Sequence, residues 1–175
     1  LLKEEGLYDQ ATIYATDFNK TILQQAENGI FPIGNQQKYT DNYNQVGRKA
    51  ALSDYYTTTP GSIIMDPALR ANVTFKYHNL VSDEAFDEMN LIFCRNVMVY
   101  FNERLQYRVF RLFYQSLIPE GFLCLGSDEH LRFSLYDDYF DTVIREERVY
   151  KRKIRAWNMP PDSKRKKPQQ ITSSS

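Results

Sequence analysis

Leu91-Ile92-Phe93-Cys94-Arg95-Asn96-Val97-Met98-Val99-Tyr100-Phe101-Asn102 is the stretch on which the reading of this chain turns. Its apolar start predicts a buried strand. An arginine and an asparagine stand at the carboxyl end of that strand, with a tyrosine four residues beyond the asparagine. In an open α/β sheet that end borders the crevice where ligands bind, because the strands stop there and the loops spread apart.

Working outward, the strand spans Met89 to Cys94, and after Asn102 an amphipathic helix sets Leu105, Val109, Leu112, Phe113 and Leu117 on one face. Arg104, Arg108 and Arg111 should face water or acidic neighbours. Pro119 and Gly121 break this helix before another buried strand, Phe122-Leu123-Cys124-Leu125-Gly126, and residues 140–146 and 148–153 predict a final strand pair. Upstream, residues 73–78 read as a strand that ends at Asn79-Leu80. Residues 12–16 read as a buried strand with Asp17 at its end. Asn19 is placed to cap a helix containing Ile22, Leu23 and Ala26, and Gly29 to end it. Strands alternating with helices predict an α/β fold with a mainly parallel sheet and an antiparallel pair at its end.

Two segments depart from that pattern. From Ile30 to about Asn72 the periodicity weakens into pieces rich in Tyr, Thr, Asn and Gln, with residues 54–57 and Ser62–Met65 flanking Pro60-Gly61 like the arms of a hairpin. This predicts an inserted β-subdomain over residues 30–72, with residues 1–29 and 73–155 forming the main domain. Residues 1–6 read as the last turns of a helix stopped by Gly6, so the chain is expected to begin inside an element and to be a fragment.

At 175 residues the chain suits one domain with a small insertion. No apolar run approaches the roughly 20 residues that span a bilayer, and nothing near Leu1 resembles a signal peptide, so a soluble, cytoplasmic protein without direct membrane insertion is expected. Cys94 and Cys124 both lie in predicted strands and read as buried thiols. Two histidines and two cysteines without close ligand spacing predict no metal site. The zero net charge hides an asymmetry: residues 1–150 carry 14 Lys/Arg against 21 Asp/Glu, and residues 151–175 carry eight against one. An acidic body argues against a nucleic-acid partner, which needs clustered positive charge. The basic tail, residues 156–175, has little to bury and is expected to be disordered.

Asp17, at a strand end before a helix, is well placed to accept hydrogen bonds from ribose hydroxyls, and equally to serve as an ordinary helix-start residue. Arg95 and Asn96 suit a ligand crevice or a plain polar cap on a strand. Tyr100 has two readings, a hydroxyl offered to that crevice or a ring packed under the next helix. Asn79 can reach the crevice or simply make a turn. Ser127-Asp128-Glu129-His130 forms a fourth polar cluster on the same predicted edge. Its serine, aspartate and histidine do not read as a hydrolase triad, whose members rarely come from one short stretch. His78 and His130 read as surface or supporting residues.

Taken together, Ala15-Thr16-Asp17, Val73-x-Phe75-x3-Asn79-Leu80, the run Ile92 through Phe101, Pro119-x-Gly121 and Leu125-Gly126-Ser127-x-Glu129 resemble the chemotaxis receptor methyltransferase family, CheR, in order and spacing over residues 7–153. The resemblance implies a class I, Rossmann-like methyltransferase sheet that uses S-adenosylmethionine, releases S-adenosylhomocysteine and esterifies glutamate side chains on the cytoplasmic helical domain of chemoreceptors. By matching positions, it implies that Asp17 holds the adenosine ribose and that Asn79 and Leu80 line the adenine site. Arg95 and Asn96 would lie beside the cofactor near the reacting centre, and Tyr100 close to the transferred methyl group. It implies that residues 30–72 are the family's receptor-docking subdomain, and the short turn between Thr57 and Ser62 leans towards a type independent of a receptor pentapeptide.

The family's glycine-rich cofactor loop and the first strand of its sheet should precede Gly6, so a sheet lacking its first strand is expected. Such a chain would need help to fold, with homodimerisation one route, and would be a doubtful catalyst alone. Two rival readings stay open: a non-catalytic methyltransferase-like scaffold or sensor, and a methyltransferase acting on RNA or a small molecule.

Overall fold

Asn19 and Gly29 bracket the first helix of the computed structural model, which describes residues 1–47, 50–131 and 134–154. The Asn19 side chain accepts from the backbone N–H groups of Thr21 and Ile22, satisfying donors that the first turn leaves without partners. Gly29 takes the left-handed conformation at the other end. The chain divides into two compact units, Leu1–Asn79 and Leu80–Ser175.

In the first unit, β1 (Ile13–Asp17) runs parallel to β5 (Val73–Tyr77), with Ile13 opposite Val73 and Asp17 opposite Tyr77. Helix α1 (Lys20–Asn28) follows β1. A separate antiparallel sheet in the order β2-β4-β3 is built from β2 (Ile30–Pro32), β3 (Tyr56–Thr59) and β4 (Ser62–Met65). The hairpin expected around Pro60-Gly61 is present with Thr59 opposite Ser62, and Gly61 sits at φ +83°, a backbone that L side chains rarely adopt. Residues 1–6 close as expected. Leu7 N–H donates to Leu2 O at 2.8 Å and Gly6 N–H to Lys3 O at 3.2 Å, the paired bonds of a Schellman cap.

Helix α2 (Gln36–Gln45) has no counterpart in the sequence reading. Its sequence, QQKYTDNYNQ, buries no residue, so it lacks the apolar stripe that betrays a helix. Local bonds support it instead: Gln37 Nε2 donates to Asp41 Oδ1 at 2.8 Å, and Thr40 Oγ1 to Gln36 O at 3.0 Å. Tyr43 and Tyr55 both donate their hydroxyls to Glu4 Oε1.

The second unit carries a four-stranded sheet in the order β6-β7-β9-β8, from β6 (Met89–Cys94), β7 (Leu117–Leu125), β8 (Phe140–Ile144) and β9 (Val149–Arg152). The β6–β7 pair is parallel and β7–β9–β8 antiparallel, as the alternation predicts. Helix α3 (Glu103–Ser116) supplies Val109, Phe110, Leu112, Phe113 and Tyr114 to the interior. Cys94, Leu123 and Leu125 meet them from β6 and β7, with Tyr136, Phe140 and Tyr150 completing the core. The other face of β6 and β7 leaves Leu91 and Phe93 exposed.

Two details correct the sequence reading. Helix α3 ends at Ser116, so Leu117 opens β7 rather than closing the helix. The disruption expected at Pro119 and Gly121 falls inside β7, where the register with β6 shifts and Glu120 takes φ +65°. A Cβ on Gly121 would stand 2.9 Å from Ile118 O and 3.2 Å from Asn90 O, which is why the chain approaches itself there only through glycine. The basic tail expected over residues 156–175 lies outside the described residues.

Leu123 is fully buried at the centre of this sheet. Leu123→Ala should lower unfolding stability by about 2–5 kcal/mol in a chemical denaturation series.

Candidate functional site

In the first unit, the carboxyl ends of β1 and β5 bring two expected site residues together. Asp17 is half-buried at the end of β1, and its backbone carbonyl accepts from His78 N–H at 3.1 Å, which leaves Asn79 just past the neighbouring strand end. Asp17 Oδ1 also accepts from Asn19 N–H at 2.7 Å. The aspartate therefore holds the turn into α1, and the two readings of it, ligand residue and helix-start residue, are compatible. A carboxylate and an amide carried at adjacent strand ends are acceptor and donor groups of the kinds that suit a ribose diol and a purine edge. His78 is buried at 8% exposure, which leaves the supporting one of its two readings. A hollow of about 260 Å³ lined by Asp9, Gln10, Thr12, Asn72 and Thr74 lies at the opposite, amino ends of the same strands.

In the second unit, the carboxyl ends of β6 and β7 are adjacent, with Cys94 opposite Leu125. Leu80, expected at the adenine site, packs its half-buried side chain against this unit's core. Arg95 and Asn96 follow Cys94, both exposed, and Asn96 holds φ +60°, a left-handed conformation that asparagine tolerates better than most residues. Met98–Tyr100 then forms one short 3-10 turn, and Tyr100 at its end is 82% exposed. Of its two readings, the ring packed under the following helix is excluded by that exposure.

The residue that organises this corner is Glu129, which sequence reasoning left unassigned. It is 3% exposed, yet its carboxylate accepts four backbone N–H groups. Oε2 accepts from Asn96 at 3.0 Å and Gly126 at 2.7 Å, and Oε1 from Val97 at 2.6 Å and Met98 at 2.5 Å. Glu129 N–H in turn donates to Gly126 O at 3.0 Å. Hydrogen bonds to a charged acceptor are each worth about 1.5–3 kcal/mol, so four of them offset much of the cost of burying the carboxylate. A polar turn Ser-Asp-Glu-His gives no hint of which acid is buried. Gly126 lies hard against this acid, where a Cβ would stand 2.6 Å from Asn96 Oδ1 and 2.8 Å from Glu129 Oε2.

On the carbonyl side of the same segment, Gln106 Nε2 on α3 donates to Met98 O at 3.1 Å and Phe101 O at 3.0 Å. A hollow of about 100 Å³ lined by Met98, Val99, Gln106, Asp128, Glu129 and His130 borders the segment. Burial pushes the Cys94 thiol up to about 12, and the nearby Glu129 charge acts in the same direction, so this thiol stays protonated at neutral pH. Burial raises Cys124 as well, against the lowering effect of the Arg95 cation. Both cysteines are free. Among the described residues, no group of three or more His, Cys, Asp or Glu side chains is arranged to hold a metal ion, and no helix is long and apolar enough to cross a membrane.

The family description "CheR methyltransferase, SAM binding domain" matches residues 1–149. Cher3 of Pseudomonas putida is 43% identical over 152 residues, covering 87% of this chain and 56% of its own length. Cher2 of the same organism, a chemotaxis protein methyltransferase, is 29% identical over 136 residues, covering 74% of this chain and 45% of its own. Chemotaxis protein methyltransferase 2 of Vibrio cholerae is 29% identical over 123 residues, covering 68% and 40%. The chain spans about half the length of the curated relatives it matches.

Gly126→Ala forces Asn96 and Glu129 apart and should cost about 1–3 kcal/mol in thermal or chemical unfolding.

Proposed function

The chain belongs to the CheR methyltransferase family, and from that premise we propose that the whole protein transfers a methyl group from S-adenosylmethionine to glutamate side chains in the helical signalling domain of chemoreceptors. The observation that carries this reading is the set of polar side chains at strand carboxyl ends. Asp17 and Asn79 stand on neighbouring strands of one parallel pair, and Arg95 and Asn96 stand at the end of another.

Within each unit, the residues present carry chemistry that suits part of the cofactor. The Asp17 carboxylate, already oriented by Asn19 N–H, would hold the ribose by accepting from its hydroxyls. Asn79 and Leu80 hold the adenine edge and face. Arg95 and Asn96, exposed and carried on a fixed turn, would lie beside the cofactor near the reacting centre. When bound, S-adenosylmethionine supplies a methyl group on a sulfonium sulfur that departs as a neutral thioether.

A glutamate side chain has a reference pKa of about 4.3, so the substrate arrives as its own carboxylate nucleophile and the protein needs no general base. The work left to Arg95 and Tyr100 is to fix cofactor and substrate rather than to move protons. Docking of the receptor falls to residues 30–72, the inserted β-subdomain of a main domain formed by residues 1–29 and 73–155. The two-residue Pro60-Gly61 turn favours recognition that does not need a receptor pentapeptide.

Calorimetric titration of the whole protein with S-adenosylhomocysteine, paired with transfer of labelled methyl groups to receptor fragments and to bulk RNA, tests this reading. Binding and receptor labelling are expected, with Asp17→Ala weakening binding by about ten-fold or more. Tyr100→Phe should leave affinity within about two-fold while lowering turnover by about ten-fold or more. Absence of binding would leave a scaffold or sensor, and labelling of RNA alone would move the substrate to another class.

A further inference from the structure

We propose that Glu129 and Gln106 are positioning residues that clamp the segment from Asn96 to Phe101 from its N–H side and its C=O side, and thereby set the orientations of Arg95, Asn96 and Tyr100. The inference rests on the methyltransferase reading above and adds to it the device that holds one part of the site in shape.

The distribution of bonds argues for this role rather than for a generic buried acid. Three of the four amides bound by Glu129 belong to consecutive residues, Asn96, Val97 and Met98, immediately after Arg95. The fourth, Gly126, anchors the same carboxylate to its own loop, and Glu129 N–H returns a bond to Gly126 O. The acid is therefore oriented locally before it engages the segment that it holds. Gln106 completes the hold by donating from one amide group to two carbonyls, those of Met98 and Phe101, on either side of Tyr100. Between these grips the backbone is closed by its own turn, with Tyr100 N–H donating to Val97 O at 3.3 Å and Phe101 N–H to Met98 O at 3.0 Å.

The clamp holds a conformation that the segment would not choose alone. Asn96 at φ +60° lies in a region that L residues enter at a cost, and a left-handed residue there turns the chain sharply between Arg95 and Val97. Arg95 and Tyr100 are both exposed, so side-chain packing does little to fix them. Their placement depends on the backbone beneath them. A functional group held by rigid supporting bonds loses rate steeply when those bonds are loosened, because displacements of about 1 Å already misalign the reacting atoms.

The test compares the whole protein with its Glu129→Gln and Gln106→Met variants. Gln in place of Glu129 keeps the shape but turns an NH2 group against backbone N–H donors. Met in place of Gln106 keeps side-chain size and helix propensity while removing the two donated bonds. Far-UV circular dichroism and thermal melting report the fold, calorimetry with S-adenosylhomocysteine reports affinity, and initial rates with a receptor fragment separate kcat from KM. For folded variants, kcat should fall by about ten-fold or more in each, with KM for the receptor fragment within about two-fold. Affinity for S-adenosylhomocysteine should weaken in Glu129→Gln. A folded Glu129→Gln protein with wild-type affinity and wild-type kcat overturns the proposal. If Glu129→Gln does not fold, Gln106→Met decides, and an unchanged kcat there overturns it. A wild-type protein that binds no S-adenosylhomocysteine defeats the function proposed above and this inference with it, whereas binding by wild type with indifferent variants defeats the clamp alone.

Discussion

A carboxylate taken out of water survives only if something replaces the water, and in the second unit of this protein the replacement is four peptide N–H groups drawn from two strand ends. Everything at that corner follows from the arrangement around Glu129. The strand β6 can stop abruptly after Cys94 because the amides that leave its ladder find an acceptor at once. The turn can carry a left-handed asparagine because its following amides are pinned. The glycine at position 126 is required because the acid, the asparagine and the backbone converge where a side chain would begin. The helix α3 then starts cleanly, its first turn capped by Asn102 accepting from Leu105 N–H at 3.1 Å.

The two units are stabilised by different means. The second unit relies on an apolar core in which α3 lies on one face of the sheet, and its aromatic residues are linked by ring contacts: Tyr114 meets Tyr136, Tyr139 and Phe140 with centroids 5.3–6.1 Å apart. The Arg152 guanidinium caps the Tyr114 ring at 4.2 Å. The first unit buries much less. Its irregular part relies on hydrogen bonds such as those of Tyr43 and Tyr55 to Glu4, and on the Arg70 guanidinium donating to Glu27 O at the end of α1. Polar fastening of this kind fixes geometry without requiring a large hydrophobic interior.

That difference explains what was legible in the sequence. Where burial organises the chain, apolar periodicity was enough for the bounds: β6 was read to the residue, α3 to within one residue of its end, and the terminal strand pair correctly placed, although β6 is not the buried strand expected, since Leu91 and Phe93 lie exposed. Where a local cap or turn organises it, a known cap or turn residue was enough: Asn19 through its side chain, Gly29 and Gly61 through a left-handed backbone. Helix α2 escaped because its support comes from amide and hydroxyl bonds that leave no periodic trace. The burial of Glu129 escaped because an acid in a polar turn looks solvated unless its distant amide partners are known. Asp17 and Asn79 were read as two of four polar clusters on one edge, and the parallel register of β1 and β5 makes these two neighbours, since residues that end adjacent parallel strands lie side by side whatever their separation in sequence.

The openness of Tyr100 bears on which molecules the proposed reaction accepts. A hydroxyl with four-fifths of its residue in contact with solvent has little protein around it to exclude water. In the reaction proposed, dryness around the acceptor carboxylate therefore has to be brought by the acceptor molecule itself. A folded helical surface large enough to cover the tyrosine can do this, whereas free glutamate or a short flexible peptide would leave its carboxylate hydrated. On the proposed reading, selectivity for a macromolecular acceptor would then arise from the open side of Tyr100, which such an acceptor covers and a small one does not.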